Sequence, residues 1–109
     1  MEITATRTLV KSAPELWELL DDEPQLRHWS ARLCKGDGQH EVLESDPGRL
    51  LIWRSEGAWT ATVEISLAEK GFGTNVAITA EADEHMRQAV LDEFLDELAE
   101  PQRRPFSAV

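Results

Sequence analysis

The chain has 109 residues, 41% of them apolar, and a net charge of −10 from 21 acids set against 11 bases. That length suits one domain with a real core and is too short for two, and no apolar run approaches the roughly 18 residues that span a bilayer. So acidic a surface repels phosphate backbones and anionic lipid, so neither nucleic acid nor membrane is expected as a partner.

The start, MEITATRTLV, has an acid at Glu2 and neither a basic region nor a long apolar segment, so it does not read as a signal peptide and the cytoplasm is the expected location. Glu2 to Val10 alternates Ile3, Ala5, Arg7 and Leu9 with threonines, the pattern of a half-buried strand. Arg7 shares the apolar register, which leaves two readings: it reaches into an interior cavity, or it sits at a strand edge with its head in water. Ser12-Ala13-Pro14-Glu15 is a compact helix start in which the Ser12 hydroxyl and the Glu15 carboxylate satisfy each other's backbone amides. Leu16, Trp17, Leu19 and Leu20 give that helix its stripe, and Pro24 opens a second short helix carrying Leu26 and Trp29.

Cys34 is the only cysteine, which excludes an intramolecular disulfide, and it reads as a small buried hydrophobe. Arg32–Lys35 is expected as a short strand and His40–Glu44 as a better one, with a turn at Gly36-Asp37-Gly38 between them. Ser45-Asp46-Pro47-Gly48 predicts a turn, and Arg49–Ser55 a strand whose run Leu50, Leu51, Ile52, Trp53 places one apolar pair on each face. The outward pair would form a patch suited to homodimerisation or partner docking. Trp59, Ala61, Val63, Ile65 and Leu67 alternate strictly with polar residues, and Val76, Ile78 and Ala80 mark one more strand after a glycine-bearing turn. Strands joined this closely pair as an antiparallel meander.

From Asp83 to Leu98 a last helix is predicted, because Met86, Val90, Leu91, Phe94, Leu95 and Leu98 collect on one side of a 3.6-residue repeat. Like charges at Asp92/Asp96 and Glu93/Glu97, with Glu100 crowding the negative dipole end, disfavour this helix in isolation. It must therefore dock on the sheet. The expected architecture is α+β, a curved antiparallel sheet wrapped around a long C-terminal helix, with two short helices after strand one. Residues 1–100 form the single domain, and 101–109, with Pro101 and Pro105, a tail.

This order resembles the helix-grip fold of the START-related and birch-pollen-allergen-like (SRPBCC) superfamily, including its polyketide cyclase/dehydrase-like bacterial members. Ser12 through Asp22 followed by Trp29 is similar to the opening of that family, Asp46-Pro47-Gly48-Arg49-Leu50-Leu51-Ile52-Trp53-Arg54-Ser55 to one of its strands, and Gly73-Thr74-Asn75-Val76 to its hairpin. The chain departs from the family in the short region between Trp29 and Arg49, where a strand or lid loop is reduced.

The resemblance implies a ligand cavity between sheet and final helix. Together with the alternation it nominates Trp59, Ala61, Val63 and Ile65 from the sheet and Met86, Val90 and Phe94 from the helix as walls, with Arg7 as a polar contributor; the alternative is that these residues fill a packed core. His28, His40 and His85 have no metal-ligand spacing, no nucleophile or phosphate-loop motif is present, and Glu64 lies on the polar register, so neither metal nor cofactor is expected. The expected activity is noncatalytic binding of a hydrophobic or aromatic small molecule. The alternatives are a cyclase/dehydrase-like enzyme with Arg7 or His28 turned inward, and an interaction module using the outer sheet face or the acidic helix.

Overall fold

The computed structural model describes residues 1–82 and 86–100. Strand β1 (Glu2–Leu9) is followed by helices α1 (Ala13–Leu20) and α2 (Glu23–Cys34). Strands β2 (Gln39–Asp46), β3 (Leu50–Glu56), β4 (Thr60–Lys70) and β5 (Gly73–Ala82) then precede helix α3 (Gln88–Ala99). The five strands form one antiparallel sheet in the order β1-β5-β4-β3-β2, so β1 and β2 are its edges. The predicted tail, 101–109, lies outside the described residues, as do Asp83, Glu84 and His85.

One sheet face carries the core. Ala5, Val76, Ile78, Ala80, Val63, Ile65, Leu51 and Trp53 are all buried, and the register Ala5↔Ile78, Ile78↔Ile65 and Trp53↔Val63 carries that face across four strands. In β3 the inward pair is Leu51 and Trp53, while Leu50 and Ile52 take the half-buried outer side. Ile52 there stands between Glu44 and Glu64 on the neighbouring strands, so the outer face is mostly polar.

Helix α1 begins as its sequence dictates: the Glu15 amide donates to Ser12 Oγ at 3.3 Å, and the Ser12 amide donates to Glu15 Oε1. The expected strand at Arg32–Lys35 is not present, because α2 continues to Cys34. Leu26, Trp29, Ser30, Leu33 and Cys34 are its buried residues, spaced 3, 4, 7 and 8 positions on from the first, which is one helical face that includes two small polar side chains. Ser30 and Ser55 form a buried network with Trp53: the indole Nε1 donates to Ser55 Oγ at 2.8 Å, and that hydroxyl donates to Ser30 Oγ at 2.8 Å.

Helix α3 starts later than its apolar periodicity predicts. Arg87 has extended backbone angles, φ −95 and ψ 131, so Met86 precedes the helix instead of forming its first turn. The helix runs beside edge strand β1 and antiparallel to α2, and both neighbours answer its acids. Arg7 Nη1 lies 2.5 Å from Asp96 Oδ1, Arg32 pairs with Glu93, and Gln25 donates to Glu97 Oε1 at 2.6 Å. At the C-terminus the Lys11 ammonium donates to the Glu100 carbonyl at 2.5 Å, where a cation offsets the negative end of the helix dipole. Part of the charge that disfavours the helix alone is thus met by what it packs against.

Candidate functional site

Phe94 fills the space directly beneath α3. Its ring stacks on Trp29 with centroids 4.4 Å apart and lies 6.3 Å from Trp53, and all three side chains are fully buried. Ala61, Val63 and Ile65 are buried in the same core. These four nominated wall residues are therefore interior packing. Arg7 stands toward the far end of α3, at the β1 edge, with its guanidinium on Asp96.

The remaining three converge elsewhere. Trp59, Met86 and Val90 line a partly enclosed cleft of about 240 Å³ together with Arg32, Leu33, Lys35 and Arg87. Three elements meet there: the C-terminal end of α2, the β3–β4 turn and the N-terminal end of α3. The turn is held against α2 by the Ala58 amide, which donates to the Cys34 carbonyl at 2.6 Å, and by close backbone approach of Gly57 to Gly36. A Cβ built on Gly57 would fall 2.5 Å from the Cys34 carbonyl oxygen, so only glycine lets the turn settle here and carry Trp59 to the cleft.

Sequence reasoning missed Arg32, Leu33, Lys35 and Arg87. Lys35 caps α2 in the left-handed region (φ 51), the one non-glycine residue among those described with positive φ, and its Nζ lies 5.7 Å from the Trp59 ring centroid. Arg32 lies 5.4 Å over the Trp29 ring while pairing with Glu93. The Trp59 indole N–H is buried and has no acceptor among the described residues.

Of the candidate histidines, His85 lies outside the described residues, and neither His28 nor His40 lines the cleft. His28 is exposed on α2 with its ring edge-on to Trp29, and His40 Nδ1 donates to the Gly38 carbonyl at 2.9 Å. Glu64 is exposed on the outer sheet face. Among the described residues no three His, Cys, Asp or Glu side chains cluster as metal ligands, and no helix is long and apolar enough to cross a membrane.

No protein-family model matches the sequence, and no curated protein does. Solved structures do match it in shape. A protein of Deinococcus radiodurans superposes with a TM-score of 0.69 at 17% identity, over 89% of this chain and 93% of that one. CalU16 of Micromonospora echinospora gives 0.62 at 18% identity, over 92% and 76%. The Aha1 dimer of Colwellia psychrerythraea gives 0.63 at 13% identity, over 91% and 96%. The chain shares their fold. With its five-stranded antiparallel sheet and final helix laid on the sheet's inner face, it has the α+β helix-grip architecture that the order of its elements resembles. Identities this low establish fold and leave function to the site.

Proposed function

We propose that this helix-grip chain binds a small hydrophobic or aromatic molecule, without transforming it, in the cleft formed by α2, the β3–β4 turn and α3. The observation that carries this reading is the cleft itself. Leu33, Trp59, Met86 and Val90 offer an apolar surface with one large aromatic, the surface on which a flat hydrophobic body packs. At about 240 Å³ the cleft lies just under the usual range of ligand sites, roughly 300–1,000 Å³, which favours one or two rings over a lipid or a polyketide chain. Among the described residues the charged lining groups are cationic, so they donate hydrogen bonds and attract negative charge, and no carboxylate or imidazole stands with them as a general base. The reading therefore stops at binding.

The test is thermal denaturation of the full chain against a panel of one- and two-ring aromatic compounds, with Val90→Phe as the control that fills the cleft. Stabilisation of the parent by some members, lost in the variant, is the expected result. If no compound raises the melting temperature of the parent, the binding reading fails.

A second reading rests on the β2 edge. Val42 and Leu43 are nearly half exposed there, beside a register shift between Val42 and Glu44, and an unpaired edge with apolar side chains can take a second copy of the chain. Sedimentation equilibrium of the parent and of Val42→Lys decides it: a dimer abolished by the lysine supports edge pairing, and a parent that stays monomeric removes it.

A further inference from the structure

We infer that the ligand of this cleft is an anion, a small aromatic or branched apolar body bearing a carboxylate or a group of like charge. The inference rests on the binding reading above and names the chemistry it recognises. The chain has 11 bases against 21 acids, yet among the seven described residues lining the cleft three are Arg32, Lys35 and Arg87, and none is acidic. That local reversal of sign is what an anion site requires.

The backbone adds to it. Arg87 is the N-cap residue of α3, a 12-residue helix whose start has no side-chain cap and no acid in its first turn, whereas α1 and α2 carry Glu15 and Glu23 in theirs. The Val90 amide turns back to the Arg87 carbonyl, and the positive dipole end of α3, with its first two amides, stands at the cleft without a carboxylate of the first turn to quench it. The opposing negative end of α2 is covered in part, since the Ala31 and Cys34 carbonyls accept from the Gly36 and Ala58 amides. Arg32 is partly engaged by Glu93. Among the described residues Lys35 and Arg87 pair with no carboxylate, which leaves them the principal anion-binding groups.

Lys35 supplies an independent argument. A helix that ends in the left-handed region ordinarily uses glycine or asparagine there, because other residues are strained in it. Retaining lysine at φ 51 places its ammonium over the Trp59 ring, where a ring stacked on the indole and a carboxylate on the ammonium can be met together.

The experiment titrates the full chain with 2-naphthoate and with neutral 2-naphthamide, following the Trp59 indole N–H resonance, assigned by its loss in Trp59→Phe. Naphthoate is expected to bind about tenfold tighter at low salt, with the gap narrowing toward about 0.5 M salt as the charges are screened. Lys35→Gly keeps the backbone conformation and removes the charge, and Arg87→Gln removes the other. Each should weaken naphthoate about threefold or more and naphthamide distinctly less, so that the ratio of the two affinities falls. Equal affinity for the two probes, or variants that weaken both alike, overturns the anion inference while the binding reading stands. If neither probe moves the Trp59 resonance, the cleft is not a site for aromatic ligands, and both readings fall.

Discussion

Cys34 shows how a side chain that looks reactive is made inert by its surroundings. It ends α2 with no exposed surface, and its thiol donates weakly to the Ser55 carbonyl at 3.5 Å. Burial pushes the thiol pKa above its ordinary 9.0 and Glu56 adds to the shift, while a hydrogen bond with the Ala61 backbone opposes it. The folded chain therefore keeps the Cys34 proton at pH values where the unfolded chain has lost it. With more protons bound in the native state, stability is unaffected below about pH 9 and falls as pH rises beyond it. Denaturant titrations at pH 8 and pH 10, compared between the parent and Cys34→Ala, should show the larger loss at pH 10 in the parent. A parent and variant that lose stability in parallel would show that Cys34 is not the titrating group. At neutral pH the same protonated, enclosed thiol is a poor nucleophile, in keeping with a packing role.

At the scale of elements, the β3–β4 turn matters out of proportion to its length, because it seats Trp59 and closes on the end of α2. A Cβ at Gly57 would meet the Cys34 carbonyl oxygen at 2.5 Å and Gly36 Cα at 3.0 Å, and neither is a flexible side-chain end that could swing aside. Gly57→Ala must push the turn away from α2, at a cost of roughly 1–3 kcal/mol. The Ala58 amide, whose bond to Cys34 stretches, should exchange faster with solvent. An unchanged denaturation midpoint and unchanged Ala58 exchange would show that the two segments have room to part. Little of this joint was legible in the sequence. The capping box at Ser12, the alternation of β4 and the inward stripe of α3 from Val90 to Leu98 are local patterns that the sequence displays directly. The extension of α2 is not among them, since Ser30 and Cys34 sit on its buried face and break the apolar stripe, and their burial depends on Trp53 and Ser55 of a strand some twenty residues away. The cleft cations were missed for a related reason: a charged residue in a strongly acidic chain reads as surface until three separate element ends bring several together.

For the whole molecule, the question is where a fold of this size keeps any empty space. Helix α3 and helix α2 together cover the inner sheet face, α3 on the β1 side and α2 toward β2 and β3. Trp29, Phe94 and Trp53 occupy the seam between them, so the space under α3 is taken by rings, and the cleft lies at the end where α3 begins. Phe94 is the residue that imposes this division. Phe94→Ala removes a fully buried ring from between two tryptophans, and such truncations cost about 3–5 kcal/mol because the surroundings collapse only in part. The space that remains is bordered by the Trp29 and Trp53 rings, so it should take a neutral ring such as benzene, which large dry apolar cavities accept. Two measurements separate the outcomes. Equilibrium denaturation should show the loss of several kcal/mol, and benzene should restore part of it in the variant while leaving the parent unaffected, by linkage of binding to folding. A variant that loses little and gains nothing from benzene would mean that Trp29 and Trp53 close over the gap, and that the aromatic seam is adjustable enough for the interior itself to open around a ligand.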